Sequence, residues 1–194
     1  MLGFTRLYFG LELRGADRVP ASGPLVITPN HQTFADPPLV TLPVHRPVYY
    51  MAWSRLFAVP GFGWLIRRLR AFPVDIDAHD SRATRETIRL LRAGEAVMIF
   101  PEGGRSLDGR IGTFKLGAFR VAASLGVPVL PVSIAGAHEA WPPGRALPRP
   151  GRIIVTYHPP EYPDPTLEVR EAARQLAERA HAVISEALAA ASRA

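Results

Sequence analysis

The chain contains no cysteine, which excludes disulfides, zinc–thiolate centres and a cysteine nucleophile. Lysine is almost as scarce: of 23 basic residues, all but Lys115 are arginine. Planar guanidinium forks suit bidentate contact with phosphate or carboxylate, although arginine excess also accords with a GC-rich coding sequence. No apolar run reads as a membrane span. The longest stretch free of charge and histidine, residues 121–137, is broken by Gly126, Pro128, Pro131 and Ser133. The first residues do not show the basic, apolar and small-residue succession of a signal peptide.

What remains is an ordinary globular composition, with 47% apolar and 21% charged residues. A length of 194 residues suits one domain spanning 1–194. The formal net charge of +6 and a pI near 10.4 fit nucleic acid, anionic lipid or an acidic carrier equally well. Nucleic acid is the weakest of these, because neither aromatic–basic interleaving nor a helix-turn-helix pattern is present.

Apolar runs alternate with helical patterns along the chain. Strands are predicted at 24–28, 47–52, 72–76, 96–100, 129–134 and 153–157. Pro131 places the fifth of these at an edge or a bulge. Helices are predicted at 36–42, at 54–69 with a break at Pro60 and Gly61, at 81–92 and at 115–125. A long alanine-rich helix over 166–192 closes the chain. This alternation predicts an α/β fold, a mixed and mostly parallel sheet flanked by helices. Residues 1–13, apolar and aromatic, form either an interfacial segment on a membrane surface or a piece docked on the domain.

Two segments carry chemistry. The first, Asn30-His31-Gln32-Thr33-Phe34-Ala35-Asp36-Pro37, follows a buried strand. Pro37 suits a first helical turn, which puts Asp36 at or near a helix N-cap and His31 in the turn leading to it. A compact turn brings ring and carboxylate together, so that the carboxylate orients the imidazole as in a Ser-His-Asp system. The alternative is a capping aspartate beside an idle loop histidine. The second segment, Phe100-Pro101-Glu102-Gly103-Gly104-Arg105-Ser106, leaves the end of another strand, where α/β sheets bind ligands. Its glycines let backbone approach a ligand, Arg105 offers a fork for phosphate, and Glu102 either holds Arg105 or meets acceptor hydroxyls. The alternative is a tight turn with a surface ion pair. Lys115 opens the next predicted helix and adds charge nearby. Gly112 and Gly117 have half the spacing of a P-loop, but Ala118 stands where its lysine belongs, which excludes nucleotide triphosphate binding of that kind. Ser106 lacks a Gly-x-Ser-x-Gly elbow, and His45, His79, His138 and His158 have no metal-ligand spacing.

In this order the segments resemble the glycerolipid acyltransferase family, in its lysophosphatidic acid acyltransferase branch. His31 and Asp36 match the family's His-x4-Asp signature, and Phe100 to Ser106 resembles its phosphate-binding block. Val127-Pro128-Val129-Leu130-Pro131-Val132 is similar to its later proline-containing block. The resemblance runs from about Gly15 to about Pro160. It implies an acyltransferase in which His31 is the general base and Asp36 its partner. Asn30, Glu102, Gly103, Gly104, Arg105, Ser106 and Lys115 would bind the acceptor, a lysophospholipid. The donor would be acyl-CoA or acyl carrier protein, with no cofactor. The enzyme would sit peripherally on the cytoplasmic face of a membrane. One departure stands out: Ile76 occupies a position where the family's second block commonly carries arginine, and Gly104 stands where threonine is frequent. Either Arg70, Arg82 or Arg85 substitutes, or the acceptor carries another head group, as in a lyso-ornithine lipid. A non-catalytic membrane lipid-binding protein on the same scaffold is the competing class, but such a module has no need of the base. Trp64 to Arg70 mixes apolar and cationic residues, fitting either an anionic lipid surface or a core helix with one solvated face. Phe57, Phe62 and Trp64 fit an acyl-chain groove or ordinary core.

Overall fold

The computed structural model describes residues 8–75 and 81–193. Its sheet contains, among the described residues, strands β1 (Glu12–Arg14), β2 (Leu25–Pro29), β3 (Val48–Trp53), β4 (Ala71–Val74), β5 (Ala96–Met98), β6 (Val129–Ala135) and β7 (Ile154–Tyr157). Their order is β1-β7-β6-β2-β5-β3-β4. The strands from β6 to β4 run parallel, whereas β7 is antiparallel to β6 and β1 runs parallel to β7. The expected mixed, mostly parallel sheet is therefore present.

Helices α1 (Asp36–Thr41), α2 (Phe62–Arg68), α3 (Ser81–Arg92), α4 (Gly117–Leu125), α5 (Ala137–Ala140) and α6 (Val169–Ala191) cover the two faces. Side chains alternate across a strand, and β2, buried at every residue, splits its own accordingly. Leu25 and Ile27 join Val48, Tyr50, Leu130 and Val132 under Leu39 and Val40 of α1. Val26 turns the other way, onto Val97, Val129 and helices α3, α4 and α6. The last of these buries Ala173, Leu176, Ala177, Ala180 and Ile184, the i, i+3, i+4 stripe of an amphipathic helix. Small alanines let it lie close against α4 and β6. At the amino end of the sheet the Arg46 guanidinium donates to the carbonyls of Pro20, Gly23 and Gly94, at 3.1, 2.7 and 2.8 Å.

Several expectations are corrected. Pro131 is not at an edge: β6 lies between β2 and β7. The strand tolerates it because the β6–β7 ladder stops at Val132↔Tyr157. One rung beyond, Pro131 needs only its carbonyl, which accepts the His158 N–H at 3.0 Å. Part of the segment 1–13 is strand β1, and Phe9 packs on the core; residues 1–7 lie outside the described residues. Lys115 precedes α4 because its N–H is drawn to the Pro101 carbonyl at 2.8 Å. Thr166 precedes α6 because Asp164 accepts both its N–H and its hydroxyl, at 2.9 and 2.7 Å. In α2 only Gly63 and Ile66 are buried, which is not the pattern of a core helix. Phe62 and Trp64 are exposed, so they are not ordinary core. Ile76 lies outside the described residues. No helix among those described is long and apolar enough to cross a membrane.

Tyr157 ties β7 to helix α1. It is fully buried, and its hydroxyl donates to the Val40 carbonyl at 2.5 Å; burial pushes its phenol pKa up. Tyr157→Phe leaves that buried carbonyl without a donor. It should lower unfolding free energy by about 1–3 kcal/mol in denaturant titration, with an unchanged far-ultraviolet circular dichroism spectrum.

Candidate active site

Strands β2 and β5 are parallel neighbours, with Ile27 opposite Met98. The segments that follow them, 30–36 and 99–116, therefore leave the same carboxyl end of the sheet, where ligands bind in α/β folds. Asn30 makes the transition. Its carboxamide donates to the Ile134 carbonyl at 3.0 Å and accepts the Ile134 N–H at 2.7 Å. It thus acts as one more rung between β2 and β6, and the backbone is free to turn. Assigned from the sequence to the acceptor, Asn30 is turned into the sheet with both ends of its amide in use.

The turn brings His31 and Asp36 together, Nδ1 to Oδ2 at 2.8 Å. Asp36 is completely buried. Its carboxylate also accepts the N–H groups of Gln32 and Thr33, at 2.5 and 2.8 Å, and the Thr33 hydroxyl at 2.8 Å. It clamps the preceding turn from beside the cap position, as expected near a helix N-cap: helix α1 starts at Asp36, after the cap residue Ala35, without a side-chain cap. An acceptor facing Nδ1 assigns the ring proton to that nitrogen and leaves the Nε2 lone pair directed away. His31 keeps 17% of its side-chain surface exposed.

The 99–116 segment grips His31 from the other side. The Phe100 ring stacks on the imidazole, with centroids 3.9 Å apart and planes at 23°. Glu102 accepts the His31 N–H through Oε1 at 2.7 Å and the Gly112 N–H through Oε2 at 2.8 Å. The Ser106 N–H donates to the His31 carbonyl at 2.8 Å. Burial pushes the Glu102 carboxyl pKa up, against the pull of the Gly112 and His31 N–H groups. Glu102 does not pair with Arg105; each of its oxygens accepts one backbone N–H. The Ser106 hydroxyl donates to Asp108 at 3.1 Å, so it is not presented as a nucleophile.

Two cations stand over this arrangement. The Arg105 guanidinium lies 3.6 Å above the Phe34 ring, and so beside the His–Asp turn. Lys115 crosses the turn at Gly103, where an added Cβ would fall 2.5 Å from Nζ; φ there is +74°, so glycine is doubly suited. Gly104 is open, with nothing within 4 Å of a Cβ. Neither Arg105 nor Lys115 has a carboxylate partner among the described residues.

Sequence reasoning missed several residues that fix this geometry. Gln32 bridges the two segments, donating to the Gly109 carbonyl and accepting the His138 N–H, both at 3.1 Å. Thr33, Phe34, Phe100 and Gly112 were passed over as well. Gln32, Thr33 and Phe34 lie between the histidine and the aspartate, and that position was their one signal. Glu102→Gln must set an amide NH2 against a backbone N–H. It should cost about 1–3 kcal/mol of stability and shift the His31 ring proton resonances; unaltered resonances would show that Glu102 does not position the ring.

The family model described as Acyltransferase matches residues 10–135. A chloroplastic 1-acyl-sn-glycerol-3-phosphate acyltransferase of Brassica napus is 32% identical over 80% of this chain and 46% of its own length. A 1-acyl-sn-glycerol-3-phosphate acyltransferase of Pseudomonas aeruginosa is 31% identical over 95% of this chain and 72% of its own. The crystal structure of the 1-acyl-sn-glycerophosphate acyltransferase PlsC of Thermotoga maritima superposes with a TM-score of 0.81 at 31% identity. It covers 98% of this chain and 76% of that one. The chain spans about half the length, or less, of the plant relatives it matches.

Proposed function

This chain belongs to the Acyltransferase family, and on that premise we propose that it transfers a fatty acyl group from a thioester to the hydroxyl of a lysophospholipid. The acceptor most in keeping with its relatives is 1-acylglycerol-3-phosphate, which would yield phosphatidic acid. The donor is acyl-CoA or acyl carrier protein. The observation that carries the reading is the His31–Asp36 pair, 2.8 Å apart, at the carboxyl end of the sheet, with the Ser106 hydroxyl engaged by Asp108.

In the step this supports, Nε2 removes the acceptor's hydroxyl proton as the oxygen attacks the thioester carbonyl. Asp36 steadies the imidazolium that forms. Collapse of the tetrahedral intermediate breaks the C–S bond, and the imidazolium returns its proton to the departing thiolate. The acyl group is already activated, so proton management is the main demand on the protein. Arg105 and Lys115 would receive the acceptor's phosphate, the first as a planar fork and the second as a point charge. Glu102 contributes by holding the His31 backbone. The acceptor resides in a membrane, which fits a peripheral enzyme on the cytoplasmic face.

Incubated with a long-chain acyl-CoA, the purified protein should release free thiol only when a lysophospholipid is added. A panel spanning lysophosphatidic acid and lyso-ornithine lipid, with product analysis, fixes the head group; acceptor-independent release would instead identify a thioesterase. His31→Ala should slow turnover by about 10²–10⁴-fold with the fold intact, and a near-normal rate would remove His31 from the role. Arg105→Ala should chiefly raise the KM for the acceptor; a change confined to the acyl donor would contradict its assignment.

A further inference from the structure

The connection between β3 and β4 is the least soluble-looking part of the surface. From Pro47 to Val74 the chain has no acidic residue and carries Arg55, Arg67, Arg68 and Arg70. Within it, Val59, Phe62, Trp64, Leu65 and Leu69 are exposed, Trp64 to 66%. A helix that shows solvent its phenylalanine, tryptophan and leucine while burying a glycine and one isoleucine reverses the usual partition.

The cations are arranged around this apolar patch. Guanidinium carbons of Arg55, Arg67, Arg68 and Arg70 lie 5.0, 4.8, 5.5 and 5.4 Å from the rings of Trp53, Phe57, Trp64 and Tyr49. None of the four has a carboxylate partner among the described residues. The patch is also closely packed on its support. A 3-10 turn at Ser54–Ala58 packs on α2 through Gly63, whose added Cβ would overlap the Phe57 carbonyl.

We infer that this connection is a docking surface for an anionic phospholipid bilayer. Aromatic and leucine side chains enter the interfacial region, and unpaired guanidiniums meet phosphate head groups. A second copy of the chain is a poorer occupant: a two-fold contact through this patch would bring two sets of unneutralised arginines together. The position supports the same occupant. The connection leaves β3 at Trp53, the same sheet end from which β2 and β5 send His31 and Glu102. A bilayer met here lies beside the site where a lipid acceptor would react. The inference deepens the acyl-transfer reading by naming where the membrane is met, but its test needs no turnover.

The test is flotation with vesicles of phosphatidylcholine alone and of phosphatidylcholine with about one third phosphatidylglycerol. The protein should float with the anionic vesicles and far less with the neutral ones. Trp64→Ser with Leu65→Ser should weaken binding by roughly tenfold or more. Arg67→Glu with Arg68→Glu should do so by at least about tenfold. All four side chains are exposed, and circular dichroism checks that the fold persists. His31→Ala should float like the parent. Equal flotation with both vesicle types, or undiminished flotation of the Trp64/Leu65 variant, overturns the inference. So does a change of sedimentation coefficient in that variant without a change in flotation, which would assign the patch to self-association. If vesicle binding holds while no lyso-lipid is acylated, the catalytic reading alone fails. If a short-chain soluble acceptor is acylated while no vesicle is bound, the docking inference alone fails.

Discussion

A carboxylate removed from water must have its oxygens matched by donors, or its burial costs several kcal/mol. Asp36 meets that condition with two backbone N–H groups, one hydroxyl and the His31 ring. The arrangement works in both directions. The turn from Gln32 to Thr33 has its shape because its amides converge on Asp36, and Asp36 can be buried because the turn is there. Ring orientation then follows without further adjustment. Remove the carboxylate and three donors lose their acceptor along with the imidazole's support.

Around that clamp the two ends of the sheet are treated differently. At the amino end, Arg46 spends its guanidinium on three carbonyls, and desolvation lowers its pKa. This is purely architectural work by an arginine. At the carboxyl end the polar side chains fall into two sets. Asn30, Gln32, Thr33, Asp36 and Glu102 are consumed in internal hydrogen bonds. His31, Arg105 and Lys115 retain unmet capacity: a ring nitrogen, a guanidinium propped on an aromatic face, and an ammonium over a glycine. The first set supplies rigidity, so that the second needs little reorganisation when a ligand arrives.

The interior strands were legible in the sequence because a parallel strand covered on both faces must be apolar throughout, and Leu25 to Ile27 and Ala96 to Met98 say so directly. Strand β1 was not, since Glu12 to Arg14 carries charge on a half-covered edge. Pro131 misled for a local reason: a rule about missing N–H groups cannot tell from sequence whether a partner strand needs that rung. The same limit governs the site. The type and spacing of His31 and Asp36 expressed a chemical pairing that a short turn can satisfy. The partners of Glu102 are backbone N–H groups of two loops and that of Asn30 is the backbone of β6, invisible to any pattern of side chains. Lys115 and Thr166 were placed in helices because their propensity allows it, and each was drawn out by one specific hydrogen bond.

The near absence of lysine acquires a practical meaning once Lys115 is located. It is exposed, and its amine rests over the Gly103 turn beside the cationic side of the site. The other basic residues are guanidiniums, which ordinary acylating reagents leave alone. Apart from the chain's own amino terminus, an amine-directed label therefore has a single address. Its rate of attachment would report on whatever occupies the ground between Lys115 and Arg105, so that the composition has made the protein its own occupancy sensor.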